Sequence, residues 1–172
     1  MVLTTERLLL RPYALDDLMD FHAMVSDPEV VRFEPYDVMN LREAEACLRE
    51  RMTEDFTAVV RRVDGRMIGN VYLANRPFES MELGYVFARG AWGHGYAAEA
   101  CRALVDRAFS RGVHRIFAEC NPVNTASRRL LERLGFRQEG LLRQNIYFSM
   151  DVAGQPVWQD TCVYALLGEE RA

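Results

Sequence analysis

The feature that most limits what this chain can become is a strand that runs through two glycines into an amphipathic helix, all between residues 81 and 111. Met81, Leu83, Tyr85 and Phe87 alternate on one face, with Glu82, Gly84, Val86 and Ala88 on the other, the period of a β-strand. From residue 95 to 111, Ala97, Ala100, Cys101, Leu104, Val105 and Ala108 form one helical stripe, and Gly112 supplies the stop. Gly93 and Gly95 lie between the two patterns. Glycine lets a backbone turn tightly and lets N–H groups approach a ligand with no Cβ in the way. The helix start adds unpaired N–H donors and the positive end of the helix dipole. Together they predict a site for a phosphate or pyrophosphate. No Gly-Lys-Ser/Thr follows, which disfavours a nucleotide-hydrolysing loop.

The rest of the chain arranges itself around that unit. A short strand over residues 7–11 is stopped by Pro12, and Leu15, Leu18, Met19, His22 and Ala23 recur at helical spacing until Asp27-Pro28. Asn40 with Glu43 three residues on is a capping-box start for a second helix, to about residue 52. Strands at 56–62 and 66–74 meet at Asp64-Gly65, a hairpin signal. A strand over 113–120, a helix over 124–134 stopped at Gly135, and strands over 136–148 and 157–167 complete the order. The expected fold is mixed α/β (α+β), a mostly antiparallel sheet of about seven strands with about four helices, in a single domain over 1–172. Hairpins at both ends speak against a wholly parallel doubly wound sheet.

Composition excludes some partners. A formal net charge of −4 gives the chain as a whole no pull toward nucleic acid or an anionic membrane. No stretch approaches the roughly 20 apolar residues of a spanning helix, and the N-terminus carries charges where a secretory signal needs an apolar run. Cys47, Cys101, Cys120 and Cys162 sit far apart, without C-x-x-C or neighbouring histidines, so no structural metal site is expected. Reduced thiols in a cytoplasmic protein are the simplest reading. Exposed strand edges in the last hairpin would permit a homodimer without requiring one.

Two ligands and one ligand-free role compete for the glycine loop. Gly93-x-Gly95-x-x-Ala98 also fits the dinucleotide fingerprint, with Glu119 as the ribose-binding acid. That fingerprint begins at the strand end, however, whereas residues 89–92 intervene here, and it needs further βα units downstream. Coenzyme A is the better fit, and glycines that serve only the turn are the third possibility.

The segment Glu82-Leu83-Gly84-Tyr85-Val86-Phe87, then Trp92-Gly93-His94-Gly95-Tyr96-Ala97, Asn124-Thr125-Ala126-Ser127 and Glu132-Arg133-Leu134-Gly135-Phe136 resemble the GNAT acetyltransferases. The opening Thr5-Glu6-Arg7-Leu8-Leu9-Leu10-Arg11-Pro12, the stretch from Asp27 to Phe33 and the stretch from Asp160 to Tyr164 are similar to the branch that acetylates N-termini of ribosomal proteins. The ordered set covers nearly the whole chain and implies an N-acetyltransferase that uses acetyl-CoA to acetylate a primary amine. A small-molecule amine or amino acid as acceptor, and a non-catalytic acyl-CoA sensor, remain the alternatives.

The resemblance implies roles residue by residue. Backbone groups of Tyr85, Val86 and Phe87 would meet the pantetheine arm, and the backbone of Trp92, Gly93, His94, Gly95, Tyr96, Ala97 and Ala98 the pyrophosphate. The family's usual Gln or Arg three residues before the first glycine is Gly90 here. Asn124 would contact pantetheine, though Asn before a helix is also a good cap. Ser127 matches the proposed general acid of the ribosomal-protein branch. The tyrosine that other members carry seven residues after the Asn is Leu131 in this chain. Glu82 and Glu119 are the candidate bases, each acting through a water; the bland readings are a solvated strand-edge charge for Glu82 and an arginine's ion-pair partner for Glu119. Phe33, Glu34, Tyr36 and Asp37, with Tyr147 in the last hairpin, could line the acceptor site.

Overall fold

The computed structural model describes residues 2–171, and its sheet grows from hairpin to hairpin. β1 (Leu3–Thr4) folds back on β2 (Leu8–Arg11). The chain then leaves the sheet through a 3-10 turn (Leu15–Asp17), α1 (Leu18–Val25), α2 (Pro28–Val31) and α3 (Leu41–Glu50). It returns as β3 (Phe56–Arg61), β4 (Met67–Arg76) and β5 (Ser80–Phe87). A 3-10 turn (Arg89–Ala91) and the glycine loop lead into α4 (Tyr96–Ser110). β6 (Arg115–Cys120), α5 (Thr125–Arg133) and the hairpin of β7 (Arg137–Met150) and β8 (Pro156–Leu167) follow.

The eight strands lie in the order β1-β2-β3-β4-β5-β6-β8-β7. Every neighbouring pair is antiparallel except β5 and β6, because only α4 crosses over between parallel strands. The sheet thus has eight strands rather than about seven. The added one is the two-residue β1, too short to announce itself by alternation. Among the described residues there are five α-helices rather than about four. The extra one, α2, arises where Asp27-Pro28 predicted only an ending. Asp27 accepts a hydrogen bond from the Glu29 N–H at 3.0 Å, and Pro28, whose fixed φ suits the first helical position, starts a new turn.

The expected cap of α3 forms as a closed box. Asn40 Oδ1 accepts from the N–H groups of Arg42 and Glu43, and the Glu43 carboxylate accepts from the Asn40 N–H at 2.8 Å. Such a cap is worth about 1 kcal/mol. The helices cover both faces of the sheet. α4 and α5 bury Leu10, Val59, Val71, Leu83, Leu104, Ile116 and Leu131 on one side. α1 to α3 bury Phe21, Met24, Leu48, Ala58, Val60 and Val86 on the other. At Gly69 the two strands could not approach with any larger residue: a Cβ there would lie 2.4 Å from the Phe87 ring and 2.7 Å from the Val86 carbonyl oxygen. No helix among the described residues is long and apolar enough to cross a membrane.

Candidate active site

β5 and β6 are paired only where Ser80, Met81 and Glu82 meet Arg115, Ile116 and Phe117. Beyond that rung β5 stays with β4 as far as Phe87, and β6 stays with β8 as far as Cys120. The two halves of the sheet therefore part, leaving a wedge between residues 83–87 and 118–120. Its β5 wall presents free backbone groups of determinable identity. The Ala88 N–H donates to the Ile68 carbonyl at 2.9 Å, and in an antiparallel ladder the residues facing the partner alternate. Gly84 and Val86 accordingly face β4, while Leu83, Tyr85 and Phe87 turn their N–H and C=O groups toward the wedge. Of the three residues expected to offer backbone to pantetheine, Val86 is committed to the ladder instead. The Phe87 carbonyl already accepts from the Trp92 indole N–H at 2.8 Å.

At the wide end of the wedge lies the glycine loop. Gly93 and Gly95 both have positive φ, 77° and 79°, and Gly95 leads straight into α4. Among the described residues no backbone or side-chain acceptor takes the N–H groups of Gly93, His94, Gly95, Tyr96, Ala97 or Ala98; the next, Glu99, bonds to the Gly95 carbonyl. The Trp92 N–H, expected in the set, is held by the Arg89 carbonyl. Six consecutive donors at a helix start form an anion cradle. A brace outside the predicted set fixes it. The Glu99 carboxylate accepts from the Thr5 hydroxyl at 2.6 Å, from the Arg7 N–H at 2.9 Å and from Arg7 Nε at 2.7 Å, while Arg7 Nη1 donates to the His94 carbonyl at 2.9 Å. Burial works to raise the Glu99 carboxyl, but Thr5 and Arg7 together hold it below its ordinary value.

The two faces of the wedge carry different chemistry. On the α4/α5 side, the Tyr85 hydroxyl lies 2.8 Å from Ser127 Oγ. Ser127 stands at the third position of α5, where its N–H donates to Asn124 Oδ1 at 3.1 Å. Asn124 is thus a helix cap in fact, and Leu131 is fully buried in the core. Burial raises the Tyr85 phenol far above its ordinary value, so it stays a neutral donor beside the serine. On the opposite side Glu82 and Glu119 project between neighbours that belong to the α4/α5 core. Glu82 is not free in solvent: its carboxylate meets Arg76 Nη2 at 2.5 Å. Glu119 has no ion-pair partner among the described residues, and burial first, the charge of Glu82 second, raises its pKa. The two bland readings are therefore exchanged, Glu82 being the paired carboxylate and Glu119 the unpaired one.

Comparison with known proteins gives this fold and site a family. Residues 7–137 match the family model described as the acetyltransferase (GNAT) domain. This chain belongs to the GNAT acetyltransferases. It is 30% identical over 177 residues to the N-acetyltransferase YnaD of Bacillus subtilis, across 99% of both chains. A GNAT-family acetyltransferase from Bacillus anthracis superposes with a TM-score of 0.89 at 30% identity, covering 98% of this chain and 99% of that one. The ribosomal-protein-S5-alanine acetyltransferase of Vibrio fischeri shares the fold, with a TM-score of 0.80 at 20% identity and 98% and 97% coverage. The chain is an N-acetyltransferase, and acetyl-CoA is its acyl donor; the free cradle and the open wedge suit a pyrophosphate and a pantetheine arm.

The remaining acceptor candidates of this GNAT chain divide. Glu34 and Tyr36 lie beside Arg51, the residue that ends α3. Phe33 is only half-buried, under the guanidinium of Arg32 at 5.2 Å. Tyr147 stacks edge-on to Trp158 at 5.2 Å in the exposed outer part of the last hairpin. Trp158 stands four residues beyond Cys162, the last residue of β8 paired with β6, roughly 13 Å along the strand.

Proposed function

We propose that this N-acetyltransferase acetylates the α-amino group of a peptide or protein N-terminus by direct attack on the acetyl-CoA thioester. The observation that carries the reading is the placement of Ser127 and the two glutamates on opposite faces of one wedge. The amine would enter from the α1–α3 face, where Glu119 can take its proton through a water. The departing thiolate would remain on the α4/α5 face, where Ser127 can supply a proton and the Tyr85 hydroxyl, 2.8 Å away, can orient it. The inward-facing N–H groups of Leu83 and Tyr85 are placed to polarise the thioester carbonyl as an oxyanion hole.

The pKa of the nucleophile supports an α-amine. Only a neutral amine attacks; an α-amino group, pKa about 8, is neutral in a useful fraction near pH 7, whereas a lysine amine near 10.4 is not. One unpaired carboxylate of raised pKa is modest help, enough for the first and little for the second. Resemblance to the branch that acts on ribosomal-protein N-termini points the same way.

Initial rates with acetyl-CoA and a panel of N-terminal peptides, polyamines and free amino acids test this reading. A sequential pattern with peptides preferred is expected, and Tyr85→Phe should lower kcat about tenfold with acetyl-CoA KM little changed. Ping-pong kinetics with a trapped acyl-enzyme would overturn direct attack. Acetyl-CoA binding without coenzyme A release from any amine would mark a sensor instead.

A further inference from the structure

The α1–α3 face holds a group of polar side chains that the acetyl-transfer chemistry does not use. Tyr13 and Asn70 are 4% and 1% exposed, yet Tyr13 Oη and Asn70 Nδ2 have no hydrogen-bond partner, and neither has the buried hydroxyl of Tyr36. Tyr13 and Tyr36 lie close enough to the Arg51 guanidinium for it to act on both phenols, and Asn70 lies beside Tyr13, yet none of the three buried atoms reaches full hydrogen-bonding geometry. Arg51 itself lies over the rings of Phe21, Tyr36 and Phe56 at 5.5, 5.3 and 5.1 Å. Among the described residues it has no ion-pair partner at all. A buried polar atom without a partner is rare in folded proteins and costs free energy. Here three occur together beside an unpaired cation, and every one of the four groups can donate a hydrogen bond. A set of convergent, unused donors calls for an acceptor-rich, negatively charged ligand.

The site communicates with the wedge along one rung of the sheet. Phe56 faces Tyr72 across β3 and β4, and Tyr72 faces Gly84 across β4 and β5. The Tyr72 and Phe56 rings are 4.9 Å apart, and the Tyr72 ring leans over Gly84, 3.5 Å from where a Cβ would be. An aromatic floor thus runs from the wedge to Arg51, crossing two strand spacings or roughly 10 Å. An amine at the wedge and an anion at Arg51 would be farther apart than the amine and carboxylate of a free amino acid. A polyamine would instead set its second cation against a guanidinium.

We infer that Tyr13, Tyr36, Arg51 and Asn70 form an anion-reading subsite of the acceptor groove, and that the acceptor carries a carboxylate several bonds from its amine. The identity of the ligand as an acceptor rests on the acetyl-transfer reading; the anion site itself does not. Burial raises the nearby Glu34 carboxyl to about 7 against the pull of Arg51, so on the acid side of neutrality it leaves the guanidinium largely uncompensated.

Two matched pairs of acceptors test the inference and separate the carboxylate's source: Ala-Glu-Ala-amide against Ala-Gln-Ala-amide, and Ala-Ala against Ala-Ala-amide. The carboxylate member of at least one pair should be preferred roughly tenfold to a hundredfold in kcat/KM, through KM. The first pair reports a side-chain carboxylate and the second a C-terminal one. Arg51→Gln should abolish the preference while acetyl-CoA KM stays put, and Tyr36→Phe, which removes a single hydroxyl and leaves the packing, should reduce it. Equal use of both members in both pairs by the wild type would overturn the inference. So would a preference that survives in Arg51→Gln protein that still binds acetyl-CoA. Thermal shifts with the acetylated products and coenzyme A give a readout independent of turnover. If no amine is acetylated but N-acetyl-Ala-Ala or N-acetyl-Ala-Glu-Ala-amide stabilises the wild type and not Arg51→Gln, the anion site stands and the acetyl-transfer reading falls. If these products stabilise neither protein, the site falls too.

Discussion

The two faces of this sheet are finished to different degrees. On the α4/α5 face the polar groups near the wedge have partners: Ser127 with Tyr85 and Asn124, Tyr164 with Arg128 and Glu132, Glu99 with Thr5 and Arg7. Apart from Arg107 Nε toward the far end of α4, the donors left open there belong to the backbone of the glycine loop, and they suit a ligand that every turnover needs. On the α1–α3 face the open groups are side chains around Arg51, beneath helices and a connecting segment that nothing in the cofactor's chemistry dictates. The contrast predicts a division between groups that serve the acyl donor and groups that select the acceptor. Changes on the first face should alter the rate with any amine. Changes on the second should alter which amine is used.

The strongest blow to the first face is Ser127→Ala. If Ser127 protonates the thiolate, kcat should fall about a hundredfold, the low end for a general acid, because a thiol is already a fair leaving group. The loss should be the same for every acceptor; a loss confined to one acceptor class would move Ser127 to the other side of the comparison. Next is Gly69→Ala, which forces a Cβ against the Phe87 ring and the Val86 carbonyl. A cost of about 2 kcal/mol is expected for such overpacking, a fall in Tm of about 4–8 °C for a chain of this size. An unchanged Tm would mean that β4 and β5 can separate without penalty.

Glu99→Gln is smaller still. It removes a carboxylate that ties the N-terminal segment to the cradle, and a partly exposed brace of this kind is worth about 1 kcal/mol, read as a roughly fivefold rise in acetyl-CoA KM with kcat retained. Because the Glu99 pKa is depressed, the brace holds above the ordinary carboxylate value of 4.5 and weakens only as pH falls below it. An acceptor KM that rises while acetyl-CoA KM does not would place Glu99 outside the cofactor site.

The same asymmetry decides what could be read from the sequence. Gly93, Gly95 and Asn124 are neighbours along the chain of the helices they serve, so local pattern places them, whereas Ser127 is marked out by the family resemblance. The hairpin at Asp64-Gly65 and the Asn40 cap were legible for the same reason. Tyr13, Asn70 and Arg51 come from a post-strand loop, the middle of β4 and the end of α3; no spacing unites them, and each alone reads as an ordinary surface or core residue. Only the packing of α1 against both α3 and β4 brings them together. Glu82 and Glu119 fall between these cases. Strand alternation puts them on one face, but the arginine that pairs with Glu82 arrives across the β4–β5 hairpin, six residues away, and alternation does not announce it.

Glu119 gives the most conditional effect and the finest test of the division, because its contribution should depend on the acceptor's own pKa. Its folded-state pKa lies above the ordinary carboxylate value, so the carboxylate form needed for proton abstraction appears as pH rises, later than an exposed glutamate would give it. At pH 7 most of an α-amine of pKa about 8 is still protonated, and Glu119→Gln should lower kcat/KM severalfold to tenfold. At pH 9 the amine is already neutral, and variant and wild type should converge. With a lysine-like amine near 10.4 the gap should persist to higher pH. A deficit that is constant across pH and across both amines would make Glu119 a packing or electrostatic residue, and would leave the proton on the acceptor face to water alone.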